Sequence, residues 1–285
     1  MKPFRWDIAK REQLGRLVDA GVFAATRSDA YPEFVSDLRQ CVARIVAFAG
    51  DSELVFIGRS PESIFDYLSG VFFDTPWYER LKLANISIRY ESLDLLQPAA
   101  LLSAKEHFRA IGLAPLDIVH NSRPIALVDL VSSGSTFQNT SQLLLSWARE
   151  EVADLPAVRR KLRFVGVTWK TKNSPKTFRW QQHASWLSEF PSGCVKNVSA
   201  PGRLWDYLGN YQPKVGWSNP PQRWTDPKIT EPPHRDSNIA ALKLALEVFD
   251  TARTSEEREA FSDCLRNQPQ MSEAWFRQIV SQVRN

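Results

Sequence analysis

Short apolar runs that alternate with amphipathic stretches are the feature of this sequence that most restricts its fold. Each run is long enough for one buried strand, and glycine, proline or polar residues flank it. The predicted strands cover residues 53–57, 86–90, 124–129, 162–169 and 194–198. Strands that alternate with helices form a parallel sheet with helices on both faces, and such sheets bind ligands at the carboxyl ends of their strands. The pattern therefore predicts an α/β fold.

The amphipathic stretches around these runs predict the helices. Apolar residues recur at helical spacing in 7–20 and 32–49. Ser60-Pro61-Glu62 is typical of a helix start, with a capping serine, a proline at the first helical position and an acid in the first turn. Helices are accordingly predicted at 60–72, 98–111, 138–150 and 202–208.

Changes in composition divide the chain into four segments. These are an N-terminal helical segment at 1–50, the α/β core at 51–211, a proline- and tryptophan-rich linker at 212–238, and a C-terminal helical segment at 239–285. In the last segment, Thr254 and Glu257 have the spacing of a capping box. We expect the helical ends to pack on the core or on a partner chain, as an oligomer or a protein interface.

The overall composition is typical of a soluble protein. Of 285 residues, 43% are apolar and 24% are charged, and there is no apolar stretch of membrane-spanning length. The N-terminus lacks the pattern of a signal peptide, and three scattered cysteines suggest no disulfide framework. We therefore expect a cytoplasmic protein with no membrane partner.

Basic residues are concentrated late in the predicted core. Eight lysines and arginines lie between Arg159 and Arg179, and no acid occurs from Leu155 to Ser188. One interpretation is a solvated face beside the fourth strand. The other is a nucleic-acid surface at 159–180, with Trp169, Phe178 and Trp180 available for base stacking.

The segment 125–136 carries the chemistry that is easiest to interpret. An apolar strand ends at Asp129, and a small polar turn follows before the next predicted helix. The turn contains the expected phosphate-binding residues Ser132, Ser133, Gly134, Ser135 and Thr136. Backbone N–H groups at a helix start and side-chain hydroxyls both donate to phosphate oxygens, and an acid before the turn can accept from sugar hydroxyls. The arrangement suits a sugar phosphate.

This segment resembles the signature of the type I phosphoribosyltransferases, in which two consecutive acids end a strand and a Gly-containing hydroxyl loop follows. Aligned on Gly134, the second acid falls on Asp129 and the first on Val128, a departure from the family. The resemblance implies a Rossmann-like parallel sheet of the type I phosphoribosyltransferase fold that binds phosphoribosyl pyrophosphate or a nucleotide, with Asp129 catalytic. In the family the missing acid helps to hold the ribose, often through Mg²⁺, so the departure bears on metal binding and on transfer.

A second element of the family, a pyrophosphate-binding loop, is expected after the first strand. Gly58–Ser63 occupies that position, and the resemblance assigns the pyrophosphate to Arg59 and Ser60. Arg59 and Mg²⁺ would stabilise the charge of the leaving pyrophosphate. The family's mobile flap would fall at 91–100, and contacts to the acceptor or an anion would come from Lys170 and Lys172.

Three functions are compatible with these features. The first is a magnesium-dependent phosphoribosyltransferase acting on a nitrogen acceptor. The second is a module that senses phosphoribosyl pyrophosphate or a nucleotide without turnover, which Val128 favours. The third is a nucleic-acid-associated effector that uses the basic stretch at 159–180. Phosphoribosyltransferase-like domains with extra helical ends also occur in bacterial stress and defence operons, which is an analogy from fold alone.

Overall fold

The computed structural model describes residues 5, 7–11, 30–88, 97–170, 179–214, 226, 228–229 and 235–284. Most of the predicted helix at 7–20 lies outside the described residues, as do 91–96 of the predicted flap. The same is true of Lys172, Phe178 and most of the predicted linker at 212–238.

The centre of the described chain is a five-stranded sheet in which all neighbouring strands are parallel. The strands are β1 (Glu53–Ile57), β2 (Leu81–Ala84), β3 (Ile125–Leu130), β4 (Leu162–Trp169) and β5 (Val195–Ala200). Their order across the sheet is β2-β1-β3-β4-β5. This arrangement confirms the predicted α/β class with a parallel sheet and is compatible with a Rossmann-like fold.

Helices cover both faces of the sheet. They are α1 (Phe34–Ala49), α2 (Glu62–Val71), α3 (Pro98–Ala110), α4 (Pro115–His120), α5 (Ser135–Glu150), α6 (Leu155–Lys161), α7 (Gly202–Asp206), α8 (Asp236–Arg253), α9 (Ser255–Arg266) and α10 (Ala274–Arg284). Side chains of α1, α2 and α8–α10 form one apolar core, and side chains of α3–α6 form another. Ala126 and Val128 contribute to the first core and Ile125 and Leu127 to the second, so β3 is buried on both faces.

The predicted strand at 86–90 is wrong over its described residues 86–88, because the second strand is Leu81–Ala84. Lys82 interrupts the apolar pattern of this edge strand, and in the fold it pairs with Glu53 at 2.5 Å. Ile86 and Ile88 are apolar for another reason, since both are buried in the core that α3–α6 share. Apolar residues that are buried outside the sheet thus produced the same sequence pattern as a strand.

Two predicted helix starts also differ from the structure. Helix α2 begins at Glu62 with Pro61 as its N-cap, one residue later than predicted, and Ser60 is free to line the cavity described below instead of capping the helix. Helix α5 begins at Ser135, three residues earlier than predicted, because the hydroxyl-rich turn runs directly into it. The predicted β1 and β4 agree with the structure at both ends.

Helix α1 packs on β4 and β5, and the C-terminal helices pack on α1, α2 and each other. Gly70 of α2 lies so close to α8 that a β-carbon there would be 2.3 Å from the carbonyl oxygen of Phe249. Thr254 caps α9 as predicted, with its hydroxyl accepting from the backbone N–H of Glu257 at 3.2 Å. The carboxylate of Glu257 does not complete the capping box. It accepts from Arg39 of α1 and Tyr67 of α2, which ties three helices together.

None of the helices within the described ranges combines the length and the apolar character that crossing a membrane requires.

Candidate functional site

The candidate site lies where the direction of the chain across the sheet reverses. After β1 the chain moves to one neighbour, β2, and after β3 it moves to the other side, to β4. The carboxyl ends of β1 and β3 therefore border a crevice from which the connecting segments diverge, the usual ligand position in open parallel sheets. A cavity of about 170 Å³ opens there. Its lining residues are Ser60, Asp129 to Phe137, Trp205, Gly209 and Asn210.

The predicted phosphate-binding turn forms one wall of this cavity. Its five predicted residues all line it, with Ser132 and Ser133 exposed and Ser135 and Thr136 partly exposed. The hydroxyl of Ser133 donates to that of Ser135 at 3.2 Å. Helix α5 starts within the turn and carries no acid in its first turn, which suits an anion at its N-terminus.

Gly134 is required at the N-cap of α5 for two reasons. Its φ of 84° is in the left-handed region, and a β-carbon would lie 2.4 Å from Cε3 of Trp180. Trp180 is buried, and its indole N–H donates to Oδ1 of Asn197 on β5 at 2.8 Å. The turn is therefore supported from behind by a fixed aromatic ring. This support corrects the prediction that Trp180 is available for base stacking, because its ring is in the core.

Asp129 is the penultimate residue of β3 and lines the cavity. It is buried, and its Oδ1 accepts from the backbone N–H of Leu130 at 2.7 Å. Val128, at the position of the family's first acid, is fully buried in the core on the α1 side of the sheet. An acid there would place a charge among apolar side chains, so the departure at Val128 is consistent with the packing.

The loop after β1 forms the opposite wall. Ser60 lines the cavity, and Arg59 beside it is partly buried. Burial lowers the pKa of Arg59, and the negative charge of Glu62 opposes that shift. The loop is held by Gln212, whose amide N–H donates to the carbonyl of Ser60 at 3.2 Å and whose oxygen accepts from Ser63 at 2.7 Å. The structure thus places Ser60 in the same cavity as the phosphate turn, whereas Arg59, its neighbour in sequence, is not among the lining residues.

A lysine that the sequence did not single out lies near the crevice, close enough to interact with Asp129, although it is not among the residues that line the cavity. Lys214 donates from Nζ to the carbonyl of Leu208 at 2.5 Å. Burial lowers its pKa to about 7, while Glu62 and Asp129 raise it and Arg59 lowers it further. No local pattern marks Lys214, because its neighbours in space come from β3, the β1 loop and α2. Only the tertiary fold brings these groups together.

Of the two predicted contacts after β4, the structure describes one, and that one is not among the residues that line the cavity. Lys170 is exposed at the end of β4 and does not line it, and Lys172 is outside the described residues. Part of the basic stretch is engaged elsewhere, since Arg159 pairs with Glu189 at 2.6 Å and Lys161 donates to the carbonyl of Asn121. Trp169 stacks on Trp205 with ring planes 18° apart. Glu189, which lies outside the basic stretch, therefore neutralises part of its positive charge by pairing with Arg159.

The donors for a metal ion at the crevice are few. Among the described residues, no group of three or more histidines, cysteines or acids is placed to hold a metal ion. Asp129 is the acid that lines the cavity. A Mg²⁺ ion carried by a diphosphate keeps most of its coordination from phosphate oxygens and water, so a single carboxylate fits that kind of metal.

The fold and the crevice define a parallel α/β protein with a candidate anion-binding site at the point where its topology reverses. Comparisons with protein-family models, with curated proteins and with solved structures each returned no match. The type I phosphoribosyltransferase resemblance therefore remains a prediction from residues 125–136 and 58–63.

Proposed function

We propose that this protein binds phosphoribosyl pyrophosphate in the β1/β3 crevice and transfers its phosphoribosyl group to a nitrogen acceptor. The observation that carries the proposal is that Asp129, the Ser132–Thr136 turn and Ser60 line one cavity. These are the groups that a phosphorylated ribose with a second anionic group requires, on two walls of a single crevice.

Each part of the ligand has a counterpart in the cavity. The 5-phosphate would accept hydrogen bonds from the hydroxyls and N–H groups of the turn, and the ribose hydroxyls would donate to Asp129. The pyrophosphate would then extend toward Ser60 and Arg59 at the β1 loop. Positioning two anions while a ribosyl cation develops between them is the main work such a site has to do. Bound Mg²⁺ would supply charge neutralisation on the pyrophosphate oxygens.

A second candidate, a sensor that binds the same ligand without turnover, is favoured by Val128. Val128 is apolar and buried in the core. Asp129 would therefore act on the ribose without the neighbouring acid that the family signature contains. Binding and transfer therefore need separate tests.

Calorimetric titration with phosphoribosyl pyrophosphate, with and without Mg²⁺, tests binding. We expect saturable binding that Asp129→Asn and Thr136→Val each weaken about tenfold, because each removes a polar contact to the ligand. Ser188→Ala is the matched control, since Ser188 is exposed and its hydroxyl donates to the carbonyl of Ser185. Absence of binding at millimolar ligand would rule out both the transferase and the sensor.

Release of pyrophosphate over a panel of nucleobases and other amines then separates the enzyme from the sensor. Transfer predicts release that depends on the acceptor, and a sensor predicts binding with no release. Oligonucleotide binding at low and high salt tests the nucleic-acid hypothesis, which requires a steep salt dependence that is lost on changing Lys170 and Lys172.

A further inference from the structure

The segment that follows β5 places Lys214 near the crevice. Residues Tyr207–Tyr211 form a single π-helical turn, and Gly209 and Asn210 of this turn line the cavity. The carbonyl of Leu208, in the same turn, accepts the hydrogen bond from Nζ of Lys214. The ammonium group is therefore anchored on the element that forms the third wall of the site. Single π-helical turns are frequent at functional sites.

The backbone around Lys214 is held in place from two directions. Gln212, two residues earlier, is bonded to Ser60 and Ser63 of the β1 side. The carbonyl of Lys214 itself accepts from Nδ2 of Asn238 in α8 at 3.2 Å. Both contacts hold the backbone near Lys214, so the fold determines the point from which its side chain extends.

We propose that Lys214 binds the second anionic group of the ligand, the one that extends from the Ser132–Thr136 turn toward the β1 loop, and takes up a proton as it does so. The proposal rests on the proposed function, because it assumes a phosphorylated ligand in this cavity. It adds a specific consequence: ligands with two separated anionic groups are preferred over simple phosphate monoesters, and their binding depends on pH.

The charges that face Lys214 explain why its protonation should respond to a ligand. They are Glu62 from α2, Arg59 from the β1 loop and Asp129 from β3. Burial lowers the pKa of Lys214 to about 7, against an ordinary value of 10.5, so about half of the empty sites would carry a neutral amine at neutral pH. An anion bound beside the amine favours the ammonium form and raises its pKa. The proton comes from solvent, and the nitrogen lone pair accepts it.

Calorimetry in buffers that differ in ionisation enthalpy measures this proton uptake. The ligands are phosphoribosyl pyrophosphate and ribose 5-phosphate, titrated at pH 7.0 into the 285-residue protein. We expect the wild type to take up about half a proton more per phosphoribosyl pyrophosphate than Lys214→Arg does, because arginine stays charged throughout. The comparison cancels the ligand's own ionisation. For ribose 5-phosphate the two proteins should take up the same number of protons.

Affinity provides the second measurement. Lys214→Met should weaken phosphoribosyl pyrophosphate binding about tenfold or more and leave ribose 5-phosphate binding within about twofold. Lys196→Met is the control, because Lys196 is an exposed lysine near the amino end of β5, away from the crevice.

The outcomes distinguish the two levels of proposal. If the wild type binds neither ligand, the proposed function fails and the role of Lys214 fails with it. If the wild type binds both ligands and Lys214→Met binds them with unchanged affinity, only the role of Lys214 is overturned. If the variants do not fold, the wild type alone tests the proposal. Binding of phosphoribosyl pyrophosphate should then take up more protons than the ionisation of the ligand itself accounts for, and an uptake no larger than that would contradict the proposal.

Discussion

At the scale of single residues, Gly134 should affect both the stability of the protein and ligand binding in the crevice. Gly134→Ala would force an alanine into the left-handed region, which costs about 1–2 kcal/mol, and would push its methyl group against Trp180. We expect the free energy of unfolding to fall by about 3 kcal/mol. Because the ring lies behind the phosphate turn, we also expect at least a tenfold loss of phosphoribosyl pyrophosphate affinity. Chemical denaturation and calorimetry measure the two effects.

Gly193 provides the matched control for this substitution. Its φ of 83° is nearly the same as that of Gly134, but nothing lies within 4 Å of a β-carbon placed there. Gly193→Ala should therefore show the backbone cost of about 1–2 kcal/mol alone, with unchanged ligand affinity. Equal losses of stability in the two variants would mean that contact with Trp180 does not restrict the turn.

Lys214 gives a second prediction at this scale, one that concerns pH. Its pKa of about 7 in the folded protein lies below its ordinary 10.5, so the unfolded chain holds more protons across that interval. Through Lys214, stability therefore rises with pH from about 7 to 10.5, and the full cost of the buried charge is present below pH 7.

Lys214→Met removes that cost together with one hydrogen bond. We expect the variant to be more stable than the wild type by about 1–2 kcal/mol at pH 6–7, and the difference to shrink as the pH rises toward 9. Thermal unfolding of both proteins over this range measures it. A variant less stable than the wild type at pH 6 would contradict a net cost of burying the charged lysine.

At the scale of elements, the packing of α2 on α8 depends on a residue with no side chain. In Gly70→Ala, the new methyl group would meet the backbone oxygen of Phe249 and the side chain of Ala252, and backbone cannot rotate away. Alanine is the better helix former by about 1 kcal/mol, yet the overpacking outweighs that gain. We expect a net loss of about 2 kcal/mol or more in the free energy of unfolding, measured by denaturant titration.

The neighbouring Ser69 offers a control within the same helix. Ser69 is also buried, and Ser69→Ala adds no volume at all. It should change stability by less than about 1 kcal/mol. If both variants lose the same amount of stability, then the close approach of the two helices is not the cause.

How much of each element could be predicted depended on how local its signal was. The apolar runs of β1 and β4 are buried within the sheet and coincide with the strands. In contrast, β2 is an edge strand, and Lys82 interrupts the apolar pattern by which it could have been recognised. The phosphate turn was recognisable because its residues are consecutive. Trp180 and Lys214 were not interpretable in the same way, because each acts through contacts with distant parts of the chain.

At the scale of the whole molecule, the C-terminal helices are connected to the crevice. Asn238 in the first turn of α8 holds the carbonyl of Lys214, and Gln212 holds the β1 loop. Helix α8 in turn packs on α2, which starts from that same loop. An anion bound between the β1 loop and the turn after β3 should therefore reduce local opening of these connected segments.

Amide hydrogen exchange with and without phosphoribosyl pyrophosphate tests this connection. We expect slower exchange at 58–63, at 131–137 and at 207–214, and also in the first turns of α8 near Asn238. Helix α10 is the internal control, because it packs chiefly on α9 and on residues 269–272. Asn238→Ala should keep the protection of the phosphate turn and lose the added protection in the first turn of α8, because it cuts the link between Lys214 and α8 and leaves the binding groups in place. Uniform protection of α10 and α8 would instead indicate a general gain of stability, and the specific connection through Asn238 would be wrong.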